Sequence, residues 1–239
     1  DAMYEMSNEE LKKRNEERFL YIFRRAYDKS PFYRRLYREA GIKKEDIKCL
    51  EDIKKLPVIT KDMVKKHAPE MLTVPKWQVM AGHTSGTTGT PLPVYSSWPS
   101  IWWNQAYTYS ARLRNGFKYG QPLVSLRCNL DRNTKYMKVH VSNTLYLSSY
   151  CINKDTIKTY YDLIIRHKPV AIEGYPSSLY TLALCMSEAG LKLDIPVAFT
   201  SSETLLDYQR TFIEKQLGTE IYDNYGMTEQ TIYLQESHN

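Results

Sequence analysis

Val170-Ala171-Ile172-Glu173-Gly174-Tyr175-Pro176-Ser177 is a short, mostly apolar run that stops at a glycine and a proline, and it sets the architecture. Val170 to Glu173 has the length and composition of a buried strand. Pro176 suits the first turn of a helix, where its missing N–H costs nothing. Leu179, Leu182, Ala183 and Met186 follow at helical spacing, and Gly190 ends the helix. The rhythm repeats downstream. Val197 to Phe199 reads as the next strand. Thr204 and Asp207 have the spacing of a capping box, and Phe212, Ile213 and Leu217 carry a helix to Gly218. Glu220 to Asp223 reads as a final short strand. Upstream, Leu123 to Cys128 predicts a strand, and Asn153 caps a helix with Ile157, Tyr160, Tyr161 and Ile164 on one face. Strands alternating with helices predict an α/β fold, with mostly parallel sheets flanked by helices. Ligands of such sheets sit beyond the carboxyl ends of the strands. The loops 174–177, 200–204 and 224–229 should therefore share one rim.

The first part of the chain reads differently. Phe19, Ile22, Phe23, Ala26 and Tyr27 predict an amphipathic helix over Glu9 to Tyr27. Ser30-Pro31 opens a second helix with Tyr33, Leu36, Tyr37 and Ala40 on one face, ended by Gly41. Thr60 caps a short third helix through about Lys66. The chain has 239 residues, 42% hydrophobic and 25% charged, enough for a sizeable core. No run approaches the ~18 apolar residues of a membrane span, and the N-terminus shows no signal-peptide pattern. Cys49, Cys128, Cys151 and Cys185 are scattered, which argues for free thiols in a reducing cytoplasm and against a zinc site. The net charge of +6 is modest. Arg24-Arg25 and Arg34-Arg35 lie among tyrosines, but solvated helix faces explain them better than a nucleic-acid patch.

Three segments carry chemistry. In Thr84-Ser85-Gly86-Thr87-Thr88-Gly89-Thr90-Pro91, seven of eight residues are glycine or hydroxyl-bearing. Glycines let the backbone approach a ligand, and hydroxyls and free N–H groups donate to phosphate oxygens. The segment is no P-loop, because no lysine follows its second glycine, and it lacks the G-x-G-x-x-G spacing. Gly82-His83-Thr84-Ser85-Gly86 misses the hydrolase elbow, having threonine where serine belongs. A second cluster, Asp223-Asn224-Tyr225-Gly226-Met227-Thr228-Glu229, follows a strand and ends in a hydroxyl and a carboxylate suited to Mg²⁺. The third is Thr200-Ser201-Ser202-Glu203-Thr204. There Thr204 reads as the helix cap and Ser201, Ser202 and Glu203 as ligand-facing.

Together these segments resemble the adenylate-forming superfamily of acyl-CoA synthetases, adenylation domains and luciferases. Ser30-Pro31-Phe32-Tyr33-Arg34, Leu56-Pro57, Thr60-Lys61, Gly174-Tyr175-Pro176-Ser177 and Ser202-Glu203-Thr204-Leu205 resemble its phenylacetate-CoA ligase branch, and most of all the CapK-type proteins of capsular polysaccharide genes. The resemblance runs from about Glu9 to Glu229. It implies the large N-terminal domain of such a ligase, with residues 1–76 as a helical segment packing on an α/β nucleotide-binding core over 77–239. It also implies ATP-dependent activation of a small carboxylic acid to an acyl-adenylate, and transfer to coenzyme A or another acceptor, in polysaccharide or aromatic-acid metabolism. By position, Thr84, Ser85, Gly86, Thr87, Thr88 and Gly89 would hold the β- and γ-phosphates. Ser202 and Glu203 would line the adenine pocket with Asp223, Asn224, Gly226 and Met227 nearby, and Tyr225 would stack near adenine. Thr228 would contact the α-phosphate, and Glu229 would hold Mg²⁺, the two acting as catalytic groups. Tyr175 and Pro176, with Tyr136 and His140, would face the acid. Trp102 and Trp103 read as core packing. The resemblance admits a homodimer and gives no role to nucleic acid.

Two departures bear on function. The family's phosphate loop often carries a lysine where Thr90 and Leu92 stand. Only ten residues follow Glu229, whereas the family's ribose-binding aspartate, hinge and lysine-bearing C-terminal domain come later. The expectation is an N-terminal portion that lacks full adenylation activity alone. The competing readings are a non-catalytic paralogue or scaffold of the same fold and a nucleic-acid-binding protein.

Overall fold

The structure, a computed structural model, describes residues 6–84, 91–126, 130 and 134–237. The chain divides into two compact units, Asp1–Ser100 and Ile101–Asn239. In the first, α1 (Asn8–Lys29) starts from a capping box: the Ser7 hydroxyl accepts from the Glu10 N–H, and the Glu10 carboxylate accepts from the Ser7 N–H. Ser30 caps α2 (Pro31–Glu39) by accepting from the Tyr33 N–H, and its own hydroxyl donates to the Glu70 carbonyl at 2.8 Å. Phe23, Tyr37 and Ile47 form a small core under Phe19, Tyr27 and Tyr33. The helix α3 (Lys61–His67) is capped by Thr60 as the sequence predicts. An antiparallel pair, β1 (Val79–His83) and β2 (Pro93–Ser97), closes the unit.

The second unit is built on a seven-stranded sheet. Along the chain come α4 (Trp98–Arg114), β3 (Leu123–Ser125), β4 (Tyr136–Val139), β5 (Thr144–Leu147), α5 (Ile157–His167), β6 (Ala171–Gly174), α6 (Pro176–Glu188), β7 (Val197–Ser201), α7 (Asp207–Leu217), β8 (Glu220–Gly226) and β9 (Tyr233–Gln235). The strand order is β4-β5-β3-β6-β7-β8-β9. The five central strands are parallel, and the edge strands β4 and β9 are antiparallel to their neighbours. The α/β fold with a mostly parallel sheet flanked by helices is thus the one the sequence predicts.

Side chains alternate across each strand, so the register assigns them to faces. Val124, Ile172, Ala198 and Ile221 are paired neighbours. They meet Ile157, Tyr160 and Ile164 of α5, Leu179, Leu182 and Met186 of α6, and Ile213 and Leu217 of α7 in the main core. The opposite face carries Leu123, Ala171, Val197 and Phe199 packed with Phe117. Arg112 of α4 reaches Glu173 on this same face.

Five features depart from the sequence reading. The N-cap of α5 is Thr156, and Asn153 instead holds the preceding turn, its side-chain oxygen accepting from the Asp155 and Thr156 N–H groups. The helix α7 starts from Leu206, whose N–H donates to the Gln209 side chain at 3.2 Å, and Thr204 stays outside the cap. Leu205 packs against the main core, which keeps the chain extended past Thr204. The strand β8 runs on to Gly226 because β9 pairs with Asn224, Tyr225 and Gly226. The sequence pattern gave no sign of β4, β5, β9 or α4. Trp102 and Trp103, expected in a core, are 69% and 65% exposed on α4.

Tyr160 is fully buried, and its hydroxyl donates to the carbonyls of Lys135 and Ser148 at 2.9 and 3.0 Å. Burial pushes its pKa up to about 12. An unfolded tyrosine releases its proton near pH 10. Between these values the unfolded chain binds fewer protons, so stability present below pH 10 is lost as the pH rises toward 12. Tyr160→Phe is expected to cost about 1–3 kcal/mol at neutral pH, and to flatten the alkaline fall of the urea midpoint.

Candidate active site

Because β6, β7 and β8 are parallel neighbours, their carboxyl ends lie along one edge of the sheet. That edge carries the loops 174–177, 200–204 and 224–229, as the spacing predicts. On the α4 face a cavity of about 520 Å³ opens there. The paired Glu173 and Phe199 line its buried inner end, Ser201 and Asn224 are paired further out, and Gly226 and Tyr233 are paired at the exposed mouth. From α4, Asn104, Thr108, Tyr109 and Arg112 form the opposite wall.

The inner end is charged. The Glu173 carboxylate accepts from the Ser125 hydroxyl at 2.8 Å and from Arg112 Nη2 at 2.5 Å. Both partners of the ion pair are buried, Arg112 9% and Glu173 7% exposed. The guanidinium carbon stands 4.9 Å from the centre of the Phe199 ring, a cation–π contact. This pair ties α4 to the middle of the sheet. A buried ion pair loses far more when one partner is removed than when both are.

Ser202, Asn224, Gly226, Met227 and Thr228 all line this cavity, although they come from two separate sequence clusters. Ser202 is a non-glycine residue at φ +72°, the left-handed region, which costs of order 1–3 kcal/mol unless the surroundings hold it. The side-chain oxygen of Asn224 is buried with no hydrogen-bond partner among the described residues. Met227 to Thr231 form the turn between β8 and β9, held by the Met227 N–H on the Ile232 carbonyl and the Gln230 N–H on the Met227 carbonyl. Tyr225 is 60% exposed, and Thr228 and Glu229 are exposed on this turn.

Other predicted residues stand elsewhere. The Asp223 carboxylate accepts from the Thr200 hydroxyl at 2.5 Å, and its N–H donates to Glu236, which Arg210 grips through both oxygens. Asp223 faces a separate shallow hollow with Arg210 and Glu236. The Glu203 carboxylate accepts from the Ser177 N–H at 3.1 Å, so it serves the start of α6. Tyr175 precedes α6, and Pro176 is its buried first residue. Tyr136 and His140 belong to the far edge, five strand spacings from β8, roughly 24 Å. None of Tyr136, His140, Tyr175 and Pro176 lines the cavity. In the first unit, Thr84 continues the β1–β2 pairing: its N–H donates to the Leu92 carbonyl, and its hydroxyl accepts from the Leu92 N–H at 3.1 Å. Ser85, Gly86, Thr87, Thr88 and Gly89 lie outside the described residues.

Arg112, Glu173, Ser125 and Tyr109 escaped the sequence reading. The available signal was a serine and a glutamate at matching places in two otherwise apolar strands. Arg112→Met alone is expected to lower stability by about 3–5 kcal/mol, because the buried Glu173 carboxylate loses its guanidinium partner. Adding Glu173→Met should restore much of that loss, as read by urea denaturation.

No protein-family model matches the chain. Among curated proteins, phenylacetate-coenzyme A ligase of Pseudomonas putida is 29% identical over 236 residues, covering 96% of this chain and 53% of that protein. Protein CapK of Staphylococcus aureus is 24% identical, covering 98% of this chain and 52% of CapK. Among solved structures, an open conformation of 2-hydroxyisobutyryl-CoA ligase in complex with 2-HIB-AMP and CoA superimposes with a TM-score of 0.73 at 22% identity. That match covers 95% of this chain and 55% of the ligase, and it shows the fold. The chain spans about half the length of the curated relatives it matches. Along nearly its whole length the chain is similar to phenylacetate-CoA ligases and to CapK, over about half the length of each.

Proposed function

We propose that this chain is the nucleotide-binding portion of an ATP-dependent ligase that activates a small carboxylic acid as its adenylate, with coenzyme A or another acceptor taking the acyl group. The carrying observation is the single cavity lined by Ser202, Asn224, Gly226, Met227 and Thr228 at the carboxyl rim. An adenine amino group or a ribose hydroxyl is the kind of donor that would satisfy the orphaned Asn224 oxygen. The relatives named as CoA ligases support the same class of chemistry.

Each residue then has a physical task. Attack of a carboxylate on the α-phosphorus builds negative charge on its oxygens. The Thr228 hydroxyl is suited to donate there. Ser85 to Gly89, with Thr84 at their start, would hold the outer phosphates. Ser202 and Glu203 would wall the adenine pocket. Because the Glu203 carboxylate already holds the α6 amide, its contribution is shape rather than free charge. Tyr225, exposed beside the turn, offers a ring face to the base. Glu229 is a lone exposed carboxylate. That suits Mg²⁺, which keeps several waters and takes one or two carboxylates plus phosphate oxygens. The free Cys49, Cys151 and Cys185 fit a reducing, cytoplasmic setting.

Nucleic-acid binding is less well supported. Arg25 is engaged by Thr73, Arg34 by the Tyr27 carbonyl and Arg35 by Glu70. The test is binding by the full chain. ATP with Mg²⁺ at about a hundredfold over its Kd should raise the melting midpoint by roughly 5 °C or more. Thr87→Ala and Glu229→Ala should each abolish most of that rise, and chelating Mg²⁺ should reduce it. A midpoint indifferent to ATP, together with salt-dependent binding of an oligonucleotide, would reverse the assignment.

A further inference from the structure

We propose that the inner end of this cavity selects a hydroxylated carboxylic acid over an aryl or alkyl acid, with Arg112 as the specificity-determining residue. This rests on the acid-activating function above. The acid's carboxylate has to meet the α-phosphorus near Thr228, at the mouth of the cavity. The rest of the acid then extends along the cavity toward Arg112 and Glu173.

A pocket for a hydrocarbon acid would be floored by apolar side chains. Here Glu173, held by Ser125 and Arg112, lines the cavity with Arg112, Thr144 and Tyr146, beside the apolar Leu123 and Phe199. A guanidinium has five N–H donors. Arg112 spends one on Glu173, and among the described residues its guanidinium makes no other hydrogen bond. Glu173 is occupied on both oxygens, by Arg112 and by Ser125. The inner end therefore holds an ion pair whose guanidinium has surplus donors, beside the phenols of Tyr109 and Tyr146. Uncharged substituents rich in acceptors, such as hydroxyls, satisfy those donors. A phenyl or alkyl group would bury them unpaired, and a second carboxylate would meet the charge of Glu173.

Calorimetric titration of the full chain with three probes tests this. They are 5′-O-sulfamoyladenosine and its N-glyceroyl and N-phenylacetyl derivatives, in which the sulfamate stands in for the phosphate of an acyl-adenylate. The glyceroyl compound should bind at least about tenfold more tightly than the phenylacetyl compound, because a polar site rejects ligands that leave it unpaired. In Arg112→Met/Glu173→Met that preference should vanish or reverse, while unacylated sulfamoyladenosine binds as before. Arg112→Lys keeps the charge and has fewer donors. It should shrink the preference, and it serves if the double variant does not fold. Equal or tighter binding of the phenylacetyl compound overturns the specificity proposal alone. So does a preference that persists in the variants, which would make the ion pair a structural tie only. Failure of unacylated sulfamoyladenosine to bind overturns the nucleotide assignment and the specificity with it.

Discussion

Parallel pairing of β6, β7 and β8 is the constraint on which the site depends. Parallel neighbours point their carboxyl ends the same way, so residues 174, 201 and 226 end up along one edge although the chain between them is long. The same register fixes which side chains share a face. Shifting one strand by a residue would send Glu173 into the apolar core and Ile172 into the cavity. The packing of α5, α6 and α7 against Val124, Ile172, Ala198 and Ile221 makes such a slip costly. Core packing on one face therefore enforces the polar arrangement on the other.

The α4 face shows how that arrangement is used. Its strand positions carry a cluster of charge and hydroxyls in the middle and apolar residues at the amino ends of the strands. The Arg112–Glu173 pair is a charged contact between α4 and the centre of the sheet. Ion pairs of this kind are weak evidence of stability, since hydrophobic residues of similar volume often serve as well.

The sequence made the rim legible for physical reasons. Ala171 to Glu173 and Val197 to Phe199 are buried on both faces, so they read as nearly continuous apolar runs, with Gly174 marking the end of the first and Pro196 the start of the second. The Ser202 and Thr228 clusters stood out because small and hydroxyl residues gather there. The elements that escaped carry weak local signals. The helix α4 buries only Ala111 and Arg112 and exposes its tryptophans, so it shows no apolar stripe. The strand β4 is largely exposed, and β9 has three residues, defined by pairing rather than composition. Glu173 looked like an ordinary strand-end carboxylate because its partner Arg112 lies 61 residues away. The Thr204 cap was a spacing match that the burial of Leu205 overrode.

The most direct test of the central claim is amide hydrogen exchange of the full chain with and without ATP and Mg²⁺. One nucleotide site at the carboxyl rim predicts slower exchange in 200–204 and 224–229 together, with β4 and the turn around His140 unchanged. Unchanged exchange in both rim segments, or protection confined to the N-terminal helices, would contradict it.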